Sequence, residues 1–231
     1  MPITPWSVAG LGALGYVVGG IPVGWLLVRW GSHLDIRALG TGNIGTSNIY
    51  RNAGTGVASL VGPLQFAQGL APVLVARWLG APTWLWALAG VCAVIGNGWP
   101  VYLGLRGGRG VAVTTGVVAG LGALPLAILL AAYLAGFLAH RIALGVFAGM
   151  LTLPVVGYLS DGLPVAMGLA AVLGVIIARR MEGLLQDFHD RPHERLPVLT
   201  RRLFLDERPG QRLVGPNGEG AGGGAAHQTS S

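Results

Sequence analysis

Lysine is missing from this chain: all 15 of its basic residues are arginine. Chemistry that needs a lysine side chain, such as a Schiff base or a lysine general base, is therefore excluded. The bias itself is read as compositional, in keeping with 40 glycines. Cysteine is nearly absent too. Cys92 stands alone, so no disulfide forms within the chain, and its apolar surroundings (GVCAVIG) favour packing over a thiolate nucleophile. Charge of either sign is scarce, at 10% of 231 residues. Asp, Glu, Lys and Arg are wholly missing from 1–28, 52–76, 78–105, 110–140, 142–160 and 162–178.

What fills those stretches is apolar. The chain is 52% hydrophobic, its mean hydropathy is +0.63, and about 20 such residues suffice to cross a bilayer as a helix. The N-terminal MPITPWSVAGLGALGYVVGG has no positive leader and no A-x-A site before Arg29, so a retained membrane helix is expected there rather than a cleaved signal peptide. Spans are expected at Trp6–Arg29, 55–78, 83–103, 142–158 and 163–178. The stretch 110–140 is too long for one upright span, and Pro125, preceded by Gly122, offers a break. Counting it as two short helices puts Arg37, Arg51, Arg106, Arg109, Arg141, Arg179 and Arg180 on one side, which the positive-inside rule makes cytoplasmic. The expectation is an all-α integral membrane protein, a polytopic bundle of about seven transmembrane helices, with the N-terminus outside and the C-terminus cytoplasmic.

From Met181 the composition turns polar. The chain divides into a membrane domain, 1–180, and a cytoplasmic tail, 181–231, which ends in GEGAGGGAAHQTSS and is expected to be largely disordered there. Within the tail, RRLFL (201–205) fits either a short helix on anionic headgroups or a solvated segment. His189 and His193 lie four apart, but Pro192 between them argues against a metal-binding helix. No metal site is expected.

Two loops carry the candidate chemistry. Gly40, Gly42 and Gly45 spell G-x-G-x-x-G, yet a membrane helix precedes them where a dinucleotide fold requires a strand. Glycine still lets backbone approach an anion closely. Thr41, Asn43, Thr46, Ser47 and Asn48 add neutral donors, and Arg51 adds a planar fork for phosphate. The second segment, RGGRGVAVTTG (106–116), sets Gly107, Gly108 and Gly110 beside Arg106 and Arg109 at the start of a helix, a favourable end for anions. It lacks the spacing and the lysine of a Walker A loop. Either loop alone is equally well read as turn glycines with arginines anchoring the cytoplasmic face. Two on one face favour anion binding.

The longer strings around these loops resemble the acyl-phosphate:glycerol-3-phosphate acyltransferases of bacterial membranes, the PlsY type. Residues 19–24 (GGIPVG) are similar to the family's G-S-I-P-x-G stretch. Residues 35–54 (DIRALGTGNIGTSNIYRNAG) are similar to D-[IL]-R-x-x-G-S-G-N-I-G-A-T-N-x-x-R-x-x-G, and 96–112 (GNGWPVYLGLRGGRGVA) to G-H-x-x-P-x-x-x-x-x-K-G-G-K-G-V-A. The chain departs at Thr41 (serine in the family), at Asn97 (histidine), and at Arg106 and Arg109 (two lysines). The family's late R-H-R-E-N string reads Arg179-Arg180-Met181-Glu182-Gly183 here, so Arg180 and Gly183 replace histidine and asparagine. The resemblance implies transfer of a fatty acyl group from acyl phosphate to glycerol-3-phosphate, giving lysophosphatidic acid, on the cytoplasmic side of the bacterial inner membrane. It implies Thr41, Arg51 and Arg109 as catalytic residues. Gly40, Gly42, Asn43, Thr46, Asn48, Asn97, Arg106, Gly107, Gly108, Gly110 and Arg180 are implied to bind substrate. The departures leave a second reading open, an altered or inactive paralogue that binds phosphate-bearing lipids.

An acyl phosphate is already activated, so positioning and charge stabilisation are enough for its transfer, with a substrate phosphate oxygen as the expected base. No cofactor and no nucleic-acid partner are expected; the partners are the two substrates and the bilayer. Other classes fit less well. No histidine has aspartate five positions later (His189 meets Glu194), as H-x-x-x-x-D acyltransferases require. Asp35 is alone where CDP-alcohol phosphotransferases need an aspartate cluster. The spans lack the mid-membrane charges of an anion transporter.

Overall fold

The protein is described by a computed structural model covering residues 2–190, 193–200 and 202. Among these residues the order is α1 (Pro5–Gly20), α2 (Val23–Ser32), α3 (Thr46–Ala53), α4 (Thr55–Trp78), α5 (Thr83–Gly98), α6 (Val111–Leu121), α7 (Ala123–Leu138), α8 (Ile142–Asp161), α9 (Leu163–Met181), α10 (Leu184–Asp190) and α11 (Arg195–Thr200), with no strand. Single 3-10 turns lie at Ile36–Ala38 and Val101–Leu103. Five segments are long and apolar enough to cross a membrane: Pro5–Ser32, Thr55–Trp78, Thr83–Leu103, Ile142–Asp161 and Leu163–Asp190. The remaining apolar helices are shorter, α6 with 11 residues and α7 with 16. The RRLFL segment, apart from Arg202, and the glycine-rich end of the tail lie outside the described residues.

The first span differs from the single helix expected over Trp6–Arg29. It starts on a capping box between Thr4 and Ser7 with Pro5 in the first turn, then breaks at Ile21–Pro22 into α1 and α2. Pro22 has no N–H to offer the turn before it, so the last carbonyls of α1 need other donors. Gln68, in the middle of α4, supplies them: its Nε2 donates to the carbonyls of Val18 and Ile21, both at 2.8 Å. The stretch 110–140 does form two helices, parted at Gly122 where the backbone is extended. Pro125 falls in the first turn of α7, where an absent N–H removes no helical bond. Arg77, at the end of α4, donates to the Gly120 carbonyl at 2.8 Å and lies over the Trp86 ring at 4.8 Å.

Membrane helices gain little by burying oil against oil, so close backbone approach is what draws them together. α1 packs on α5 through Gly15-x-x-x-Gly19, and a Cβ added at Gly19 would stand 2.0 Å from the Ala93 carbonyl oxygen. α4 meets α6 in the same manner, a Cβ on Gly69 falling 1.9 Å from the carbonyl oxygen of Val113. The main core gathers Val94, Val117, Leu129, Met150, Leu169 and Ile176 from α5 to α9. A separate cluster of Val28, Ile36, Ile44, Ile49, Ala58 and Val61 joins α2, α3 and α4 beneath the first glycine loop. Exposed Leu134, Val155 and Leu159 face outward, as lipid contact requires.

Gly19→Leu should keep α1 from seating on α5, at the upper end of the about 1–3 kcal/mol that overpacking costs. Thermal unfolding in detergent would show it. Gly10→Leu, on the same helix but with nothing within 4 Å of its added Cβ, should leave the midpoint unchanged.

Candidate functional site

The two glycine loops meet at one end of the bundle. Between them lies an open polar cleft of about 600 Å³, lined by Thr41, Gly42 and Asn43 from the first loop and Arg106, Gly107 and Arg109 from the second. Arg179, Glu182 and Gly183 close it at the end of α9, and Asp35, Arg37 and Ala38 complete the lining. Four arginines against two carboxylates leave a formal excess of two positive charges, the sign an anionic ligand needs.

The first loop is organised around Asn48, which α3 holds in the interior at 3% exposure. Its Oδ1 accepts from the Thr41 N–H at 3.0 Å. Its Nδ2 donates to the carbonyls of Leu39 at 3.0 Å and Asn43 at 2.9 Å. One side chain thus fixes both limbs of the loop. Gly40 passes so close that a Cβ there would stand 2.5 Å from Asn48 Oδ1, and its φ of +54° lies in the left-handed region. Asn43 Oδ1 accepts from the Gly45 N–H at 3.1 Å, just before α3. The Thr41 hydroxyl accepts from the Asn43 N–H at 3.4 Å, which leaves its own proton to donate into the cleft.

Asp35 starts the loop by capping the 3-10 turn. Its Oδ1 accepts from the Arg37 N–H and Nε, each at 3.0 Å, and from Trp25 Nε1 at 3.1 Å. Arg37 Nη2 donates to Oδ2 at 2.7 Å. The bond from the Arg37 guanidinium is the main reason the Asp35 carboxyl is held down from 3.8 to about 2. This fork is half-exposed, so it shapes the loop mouth more than it stabilises the fold.

The second loop doubles back on the end of α5. The Gly107 N–H donates to the Gly98 carbonyl at 3.2 Å and the Gly108 N–H to that of Asn97 at 2.9 Å. Gly107 comes within 2.0 Å of the Asn97 carbonyl oxygen at its Cβ position, a space no other residue fits. The loop's own carbonyls face Arg179, whose Nε donates to Gly108 O at 3.2 Å and Nη2 to Gly107 O at 3.1 Å. Arg179 Nη1 pairs with Glu182, and the guanidinium lies over the Trp99 ring at 5.2 Å. At 8% exposure, Arg179 is a strut behind the loop.

Several residues singled out from sequence therefore shape the cleft without lining it. Asn48 is one. Thr46 donates its hydroxyl to Gln65 on α4 at 3.2 Å, Asn97 is buried behind the second loop, and Gly108 and Gly110 form the backbone leading into α6. Arg51 lies exposed in the last turn of α3, outside the lining. Arg180 turns away: successive helix residues point about 100° apart, and its guanidinium packs over the Phe147 ring of α8 at 4.7 Å. The sequence pointed to Arg180 and missed Arg179, although the pair stands together at the end of the last span. A second difference concerns the backbone. The amides of Thr41, Gly42, Gly45, Gly107 and Gly108 all donate within the protein, because a loop over a membrane core must satisfy its own polar groups. The side chains that line the cleft, Arg106 and Arg109 among them, carry the charge that suits an anion.

Comparison with known proteins finds relatives over most of the chain. The glycerol-3-phosphate acyltransferase family model matches residues 9–186. Glycerol-3-phosphate acyltransferase 4 of Dehalococcoides mccartyi (strain CBDB1) is 33% identical over 87% of this chain and 89% of its own length. The glycerol-3-phosphate acyltransferase of Geobacter sulfurreducens is 42% identical over 72% of this chain and 86% of its own. Among solved structures, PlsY, an integral membrane glycerol 3-phosphate acyltransferase, superposes in its glycerol 3-phosphate form with a TM-score of 0.71 and 26% identity, over 80% of this chain and 94% of that one. Its lysophosphatidic acid form gives 0.69 at the same identity, over 80% and 93%.

Two outcomes follow from the loop geometry. Asn48→Asp keeps the shape but sets a carboxylate against the Leu39 and Asn43 carbonyls, so each unsatisfied group should cost about 1–3 kcal/mol, read as a lower thermal midpoint. The Asp35 fork has a depressed pKa, so its contribution is complete above the unfolded value and is lost as pH falls through about 2. The midpoint difference between the wild type and Asp35→Asn should be flat from about pH 8 to about pH 5 and close below about pH 3.

Proposed function

The chain belongs to the glycerol-3-phosphate acyltransferase family, and we propose that it transfers a fatty acyl group from acyl phosphate to glycerol-3-phosphate in the cleft between its two glycine loops. The observation that carries this reading is the meeting of Thr41 and Asn43 with Arg106 and Arg109 around one basic cleft. Both substrates bear a phosphate, and the cleft offers arginines from one loop and neutral donors from the other.

In the reaction, a hydroxyl oxygen of glycerol-3-phosphate attacks the carbonyl carbon of acyl phosphate. The new ester C–O bond forms and the bond from that carbon to the phosphate oxygen breaks. Lysophosphatidic acid and inorganic phosphate leave, and the hydroxyl proton passes to a phosphate oxygen of the substrate. Arg109, with Arg106, holds the leaving phosphate and takes up its developing charge. The Thr41 hydroxyl and the Asn43 amide orient the second phosphate. Arg51, exposed in the last turn of α3, is assigned as a further charged fork for the phosphates. Gly40, Gly42, Gly107, Gly108, Gly110, Thr46, Asn48 and Asn97 hold the loop shapes that this positioning needs. Arg180, packed on Phe147, contributes fixed positive charge behind the site.

The same reading assigns seven crossings, α6 and α7 counted as two, with the N-terminus outside. The cleft and the tail from residue 181 then lie on the cytoplasmic side of the bacterial inner membrane, where the positive-inside rule sets the arginine-bearing loops.

The test is purified protein in lipid nanodiscs with labelled glycerol-3-phosphate and either acyl phosphate or acyl-CoA. Product with acyl phosphate and none with acyl-CoA is expected; the reverse would overturn the donor assignment. Arg109→Ala should lower kcat/KM by about 100-fold. Arg51→Ala should do likewise, and full activity of that variant would remove Arg51 from the site. No transfer from either donor would point to the inactive paralogue.

A further inference from the structure

The family match ends at residue 186, yet one side chain well beyond it is buried against the cleft's supports. Arg202 is 4% exposed. Its Nε donates to Asp187 Oδ2 at 2.6 Å, and Nη2 forms an ion pair with the same carboxylate. Its Nη1 donates to the carbonyls of Glu182 and Arg180, the latter at 3.3 Å. The guanidinium passes beside Gly183, where an added Cβ would stand 3.5 Å from Nη2. Gly183 itself has a φ of +79°, so the chain turns sharply there and bares the last carbonyls of α9. Helix ends present unsatisfied carbonyls and partial negative charge, which a cation with several donors suits.

The contacts then run on into the cleft. Glu182, whose carbonyl Arg202 holds, pairs through its side chain with Arg179. Arg179 in turn holds the carbonyls of Gly107 and Gly108. Tail, helix end and glycine loop form one continuous chain: Asp187, Arg202, Glu182, Arg179, Gly107. Gly107 lines the cleft beside Arg106 and Arg109.

We propose that Arg202 is a positioning residue for the phosphate cleft, a side chain from the tail that fixes the end of α9 and, through Glu182 and Arg179, the frame of the second glycine loop. The tail is thereby part of the site rather than an appendage to it. This rests on the acyl-transfer reading only for its kinetic consequence; the mechanical link stands on the geometry. The loop framed in this way carries Arg106 and Arg109, so loosening it falls on the acyl-phosphate side of the reaction and is read in kcat/KM for that donor.

The test uses the full chain in nanodiscs as wild type, Arg202→Ala, Arg202→Lys and the milder Asp187→Asn, with hydrogen–deuterium exchange and steady-state kinetics together. Arg202→Ala should raise deuterium uptake in peptides covering 105–112 while leaving α4 peptides (55–78) unchanged. It should also lower kcat/KM for acyl phosphate by about 10-fold, while KM for glycerol-3-phosphate, whose phosphate the first loop orients, stays within about twofold. Arg202→Lys, which keeps the charge, should recover part of both effects, and Asp187→Asn should show a smaller version. Unchanged uptake at 105–112 would overturn the proposal. So would uptake rising equally in α4, the mark of general loosening, or a kcat/KM for acyl phosphate that stays put while uptake rises. An inactive wild type would count against the acyl-transfer reading alone, because the exchange arm decides the link by itself.

Discussion

Hydrocarbon offers no partner to a backbone N–H or C=O, so wherever a membrane helix stops, the protein must supply the missing hydrogen bonds itself. This chain stops its helices often, and at four of these irregular places one polar side chain reaches in from a neighbouring element. Gln68 serves the break at Pro22, and Arg77 the end of α6. Asn48 serves the first glycine loop, and Arg179 the second. The bundle's irregular parts are therefore tied to its regular ones at a few identifiable atoms.

That constraint shapes the site directly. Many of the loop amides and carbonyls are engaged inside the protein, so the loops are braced from behind. What they present to the cleft is a short set of side chains on fixed backbone. For the transfer proposed above, from a donor already activated, such preorganisation is the main thing a protein can add. Under that proposal no protein nucleophile is called for, in keeping with a chain that has no lysine and keeps its single cysteine, Cys92, among apolar neighbours in α5.

Much of this was legible in the sequence. Charge-free stretches marked the spans, because ionised side chains are costly in lipid, and Gly122 with Pro125 foretold the division of 110–140. The strings at 35–54 and 96–112 marked the two loops that the fold brings together. What stayed hidden were long-range matches between single side chains. Nothing near Pro22 says that Gln68, 46 positions on, will complete α1, and a polar residue in α4 has no periodicity to betray it. Arg179 and Arg180 are adjacent and chemically identical, so only the helical rotation between them decides which one holds the loop and which one lies on Phe147. Both fall in the late string, Arg179 at its arginine and Arg180 in place of its histidine, and the string does not say which of them faces the loop.

The missing lysines take on a structural meaning at this point. Arg179 meets two carbonyls and a carboxylate, lying over a ring as well. Arg202 meets two carbonyls and a carboxylate. Arg37 forks onto both oxygens of Asp35 while sitting 5.5 Å from the Trp25 ring. In each case a planar group with five donors in fixed directions spans partners that a compact ammonium would have to choose among. A compositional bias toward arginine has thus been turned to use as cross-bracing at loop ends. The same geometry bears on Arg106 and Arg109, where the related strings carry lysine. A wider fork in those two places asks for a frame held to closer tolerance, and the buried struts behind Gly107 and Gly108 are where the chain provides it.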